Sequence, residues 1–147
     1  KPMDIFLISL TIPTLKVRMT EHEKNSILIA KFLEEQDYIV KVTHPGLPSH
    51  AQYELAKQQM QYIPGVFCVD FNSIALAEKF IENTKLFGEK CSFGSPDSRV
   101  EIPAKISHAS FSKEELSAIG ISDSTVRFSI GLESVEDLIA DIKQAVK

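Results

Sequence analysis

An α+β fold of two layers is predicted, with a small, mostly antiparallel sheet covered on one face by helices. Three observations predict it. Helical and extended stretches alternate irregularly, and the strands are few and short. Each helix has a start signal of its own. The 147 residues, 44% of them hydrophobic, suffice for one core, and no internal repeat, linker or second domain interrupts them.

Residues 1–37 read as a lead-in and one long helix, the helix running from Thr11 to about Asp37. Pro13 falls near its start, where a missing N–H costs little. Leu28, Ile29, Phe32 and Leu33 form its apolar stripe. Residues 38–147 form the α+β body. Tyr38–Thr43 alternates as a strand, and His44-Pro45-Gly46-Leu47-Pro48 ends it in a rigid turn. Ser49, with Gln52 three residues on, is the expected cap of a helix reaching about Met60. VFCVDF, Val66–Phe71, is a strand of β-branched and aromatic residues. Ser73 caps IALAEKFIEN. Residues 85–107 read as a long irregular stretch, and such stretches are often functional. Ser112 and Glu115 make a capping box for a short helix to Ala118, with Phe111 and Leu116 at the staple positions and Gly120 closing it. STVRFSI is the last strand. Ser134 and Asp137 open the last helix, which buries Val135, Leu138, Ile139, Ile142 and Val146.

Several functions are excluded or disfavoured. A net charge of −4 without a basic stripe argues against a nucleic-acid partner. No apolar run approaches the roughly 18 residues that span a bilayer, and no signal peptide is visible. Cys68 and Cys91 form no CxxC pair, which points to reduced thiols and a cytoplasmic setting. His22, His44, His50 and His108 show no metal-ligand spacing. The apolar opening KPMDIFLISL, which does not begin with Met, suggests a piece of a longer chain.

Two places offer binding chemistry. On the last strand Val126, Phe128 and Ile130 point one way and Arg127 and Ser129 the other. Arg127 is then either a residue of a solvated face or an anion grip, its planar fork matching a carboxylate. SFGSPDS is either a plain surface loop or a source of hydroxyls and N–H groups for an anion. It is neither GxGxxG nor a P-loop.

Five segments, in register over the full length, resemble the family of cystathionine γ-lyase, cystathionine β-lyase, cystathionine γ-synthase and methionine γ-lyase. They are PMDIFLISLTIPTLKVRMTEHEKN (with Thr14-Leu15, Arg18-Met19, His22 and Asn25), HPGLPSHAQYELAKQQM, GVFCVDF, KLFGEKCSFGSPDSRVEIPAKISHAS and GISDSTVRFSIGLESVEDLIADIKQA. The resemblance implies that residues 1–147 are the C-terminal small domain of a fold type I pyridoxal-phosphate enzyme. It implies that Arg127 binds the substrate's α-carboxylate, with Ser92 and Ser107 as further substrate-binding residues. No catalytic residue is then expected in the chain, because the lysine that carries pyridoxal 5'-phosphate belongs to a large domain upstream. The activity implied is C–S bond elimination from a small sulfur amino acid by a homotetramer, these 147 residues being inactive alone. Two alternatives stand beside it: a γ-replacement enzyme acting on an O-acylhomoserine, and a non-catalytic amino-acid-binding or dimerisation module. The sequence departs from the family pattern at Cys91, at Ser95-Pro96 and at Leu10, Thr11 and Pro13.

Overall fold

Period-two alternation governs the middle of the molecule. The computed structural model describes all 147 residues. Its sheet has five strands: β1 (Ile39–Thr43), β2 (Val66–Phe71), β3 (Gly88–Glu89), β4 (Arg99–Glu101) and β5 (Thr125–Ser129). Their spatial order is β1-β2-β5-β4-β3, and all neighbours are antiparallel except β3 and β4. Phe67 stands opposite Phe128, and Phe128 opposite Val100, so these side chains share one face. Cys68, Arg127 and Glu101 line up across the other face.

The apolar face is covered by α2 (Leu15–Glu34), α4 (Ile74–Asn83) and α6 (Val135–Ala145). Ile29 and Leu33, Ala77 and Phe80, and Leu138 and Ile142 meet Phe67, Val69, Phe71, Val126 and Phe128 in one core. The two-layer α+β architecture is therefore as the sequence predicts. Ser73, Ser112 and Ser134 cap their helices as expected, accepting from Leu76, Glu115 and Asp137 N–H. Glu115 closes the capping box on α5 (Lys113–Ala118). Phe111, however, remains exposed and meets His108 edge-on, at 5.1 Å between ring centres.

Three expectations need correction. Helix does not begin near Thr11. A helix α1 (Pro2–Thr11) precedes it, and a 3-10 turn (Ile12–Thr14) joins the two. Pro13 lies in that turn, where its missing N–H breaks the α ladder. The Thr11 carbonyl instead accepts from Thr14 Oγ1 and Arg18 Nη2. Ser49 caps no helix. It donates to Glu34 at 2.5 Å, and α3 (Tyr53–Gln59) starts four residues later, after the turns that Pro45 and Pro48 impose. Finally, residues 85–107 are not wholly irregular, since β3 and β4 lie within them. No helix is long and apolar enough to cross a membrane.

His44 shows how burial is tied to protonation. It is fully buried; Nδ1 accepts from Gly46 N–H and Nε2 lies 3.1 Å from Ser26 Oγ. Burial lowers its pKa from 6.5 to about 4. A proton on Nδ1 would also face the Gly46 N–H. Between pH 4 and 6.5 the unfolded chain therefore binds more protons than the native one, so stability is complete above that window and is lost as pH falls through it. The loss is about 3 kcal/mol at full titration. Denaturant unfolding between pH 7 and 4.5 is expected to show this slope, and His44→Gln to remove it. Parallel pH dependences in the two proteins would sink the idea.

Candidate functional site

Around Arg127 the polar face of the sheet is shielded from solvent. Arg127, the middle residue of β5, has only 11% of its side chain exposed. One guanidinium nitrogen, Nη2, donates to Glu101 Oε1 at 2.7 Å and to Cys91 Sγ at 2.8 Å. The Phe93 ring stacks over the guanidinium carbon at 4.6 Å. Nη1 and Nε have no protein partner, so part of the guanidinium stays open.

The loop that carries Cys91 and Phe93 is held from behind. Ser98 N–H and Oγ both donate to the Glu133 carboxylate, at 2.7 and 2.9 Å. Leu132 N–H donates to Pro96 O at 2.8 Å. The approach is so close that a Cβ at Gly131 would run into the Pro96 carbonyl. Helix α2 fixes the other side: Asn25 Nδ2 donates to Glu133 O, and His22 Nδ1 donates to Ile130 O at 2.6 Å. The loop and the strand end are thus clamped together before any ligand arrives.

The candidate residues occupy this site differently. Arg127 is its centre. Ser107 does not touch Arg127; its hydroxyl donates to Glu101 Oε1 at 2.6 Å, so it reaches the arginine through Glu101. Ser92 lies in the loop, where its Oγ accepts from Ser95 N–H at 3.3 Å. Gly94 N–H reaches Ser129 Oγ, two residues along β5 from Arg127, at 3.5 Å. Sequence reading passed over Glu101 and Phe93. The only trace of Glu101 was a charged residue between Val100 and Ile102, in a strand too short to show a period. Cys68, opposite Arg127 on β2, is half-buried, and burial pushes its thiol pKa up. An apolar cleft of about 270 Å³ adjoins Phe93, lined also by Met19, His22, Ile63, Pro64 and Val66.

Chemically, the free N–H groups of an oriented guanidinium suit a carboxylate. The groups at Arg127 do not suit attachment of an aldehyde cofactor. They are a carboxylate, a thiol, a ring and hydroxyls, and no lysine amine contacts any of them.

The architecture is that of the small α+β domain of a pyridoxal-phosphate enzyme. It superimposes with a TM-score of 0.93, at 34% identity, on a Campylobacter jejuni protein assigned as an O-acetylhomoserine (thiol)-lyase. The match covers 99% of this chain and 35% of that one, and that crystal structure holds N'-pyridoxyl-lysine-5'-monophosphate. The chain belongs to the Cys/Met metabolism PLP-dependent enzyme family, whose sequence profile matches residues 1–147. It is 44% identical to the cystathionine gamma-lyase of Dictyostelium discoideum and 43% to that of Bos taurus. It is 40% identical to the cystathionine beta-lyase of Lactococcus lactis. Each match covers 99% of this chain but only 36–38% of the relative, so the chain spans little more than a third of the length of these proteins.

Proposed function

We propose that this chain is the substrate-carboxylate-binding domain of a PLP-dependent carbon–sulfur lyase of the cystathionine γ- or β-lyase type. The observation that carries the reading is the free N–H groups of the Arg127 guanidinium, held on a rigid strand beneath Phe93. A carboxylate there accepts a charge-assisted N–H bond from a guanidinium nitrogen that the protein leaves free. That contact fixes the carboxylate's position, and so orients the bonds at the substrate's Cα. Phe93 covers one face of the guanidinium and shields that face from water, which strengthens the ion pair. Ser92 borders the same site and offers a hydroxyl to the bound carboxylate. Ser107 acts on it only through Glu101.

Pyridoxal phosphate, when bound, supplies the electron sink of such reactions. Its attachment is assigned to residues beyond these 147, which alone are then inactive. The full-length enzyme is proposed to work as a homotetramer on a small sulfur amino acid in the cytoplasm. The relatives' names favour elimination, whereas the structural neighbour's name keeps replacement on an O-acylhomoserine as the second reading. Assaying the full-length protein with cystathionine, methionine and an O-acylhomoserine plus thiol separates them. Cystathionine alone is expected to be cleaved. Turnover of the acylated homoserine only would favour replacement, and no turnover of any would support a non-catalytic module.

A further inference from the structure

Glu101 has a side chain only 1% exposed, directly opposite Arg127 in the β4–β5 register. Burying a carboxylate is costly, and an ion pair in such a place seldom repays the loss of hydration. Its geometry is also not that of a pair built for mutual neutralisation. A bidentate pair would occupy two guanidinium nitrogens. Here Glu101 meets Nη2 alone, through Oε1 alone, while Oε2 is buried without a partner. The same Oε1 takes the Ser107 hydroxyl, and Ser107 Oγ lies 2.9 Å from His108 Nδ1. With the hydroxyl proton spent on Glu101, Nδ1–H of His108 donates to Ser107. The result is a chain of bonds from His108 through Ser107 and Glu101 to one corner of the guanidinium.

We propose that Glu101 is a positioning residue, which, buttressed by Ser107 and His108, holds the Arg127 guanidinium by Nη2 so that its remaining free N–H groups are presented to the incoming carboxylate. This deepens the proposed role of Arg127 and rests on it. An arginine side chain has several rotatable bonds, and fixing it before binding removes that entropy cost from the binding step. The cross-strand register sets the position of Glu101, and the Ser107 hydroxyl sets the rotation of its carboxylate. Simple charge neutralisation would act in the opposite direction. A carboxylate beside Arg127 that did nothing else would weaken anion binding, and its removal would strengthen it.

The two effects have opposite signs in one experiment. The full-length enzyme is given norleucine, which carries the carboxylate but no leaving group, or pentylamine, the same chain without the carboxylate. Each is measured as a competitor of substrate, and the ratio of the two affinities reads the carboxylate contact alone. Glu101→Gln is expected to cut this ratio about tenfold, or ~1.4 kcal/mol. In an Arg127→Lys background it should change nothing further, since the pair acts as one unit. An unchanged or increased ratio in Glu101→Gln would overturn the proposal. So would an equal loss of affinity for both ligands, which is the mark of a merely structural role. If Glu101→Gln does not fold, Ser107→Ala tests the same chain of bonds. A drop of about threefold, with recovery in Ser107→Thr, supports positioning, as each hydrogen bond is worth roughly 0.5–1.5 kcal/mol. No drop overturns it. If Arg127→Lys alone leaves the ratio unchanged, the carboxylate role of Arg127 itself fails, and the role of Glu101 fails with it.

Discussion

Arg127→Ala in the full-length enzyme is expected to raise KM for the amino-acid substrate by roughly two orders of magnitude, about 3 kcal/mol, the scale for truncating one partner of a buried charge pair. The change removes the guanidinium on which the proposed carboxylate contact depends. It also strands Glu101, which is 1% exposed and whose one ion-pair partner is Arg127. An uncompensated buried carboxylate destabilises by about 3–5 kcal/mol. Two measurements separate the effects: steady-state kinetics on the folded fraction, and thermal unfolding. Arg127→Lys spares more stability, because an ammonium still faces Glu101, yet it loses the planar guanidinium on which the proposed grip depends. Unchanged KM in both variants would remove Arg127 from the site.

Phe128→Ala is expected to be the most destabilising single change in the core. Phe128 is fully buried, with the rings of Phe67 at 5.4 Å, Phe80 at 5.5 Å and Phe87 at 5.8 Å. Three elements therefore meet on one side chain: β2, α4 and the segment leading to β3. Truncation removes the ring from all of them, and the cost for a buried Phe is about 3–5 kcal/mol. For a domain of this size that lowers Tm by about 10 °C or more. Phe128→Leu keeps most of the volume and should cost less than half as much. Because Phe128 follows Arg127 on the strand, the Ala variant is also expected to loosen the substrate site. A loss of thermal stability below 1 kcal/mol would show that the aromatic cluster collapses freely around the gap.

Much of this was legible in the sequence, and the reason is local. Ser112 and Glu115, or Ser73 with its helix, lie within one turn of each other, so their pairing follows from spacing alone. Arg127 could be placed on the polar face because β5 runs through two full periods of alternation. Glu101 could not be found that way. Its strand has three residues, too few to show a period, and its partner lies 26 residues along the chain. The partner of Ser107 was hidden for a related reason. A hydroxyl can be read from the sequence, but the oxygen it meets is settled only when β4 docks on β5. Pro13 misled because a proline is tolerated in a helix's first turn and also breaks one, and residues 2–11 had to be seen as helical to decide between these. Ser49 misled because the capping pattern ignores competing acceptors, and Glu34 was one.

The strand order has a consequence for how the protein is made. β5 is the last strand in the sequence and the middle one in space. While a ribosome is still short of residue 125, β2 and β4 each present a row of unpaired amides and carbonyls with nothing between them. Such open edges invite pairing with other chains. No partial product of synthesis holds both halves of the sheet, so closure waits for one late insertion with distant partners, a slow kind of step. Arg127 rides on that inserting strand. The proposed grip on a carboxylate would therefore form in the same event that seals the sheet, and a nascent chain that stalls before it would be exposed to aggregation and would lack that grip.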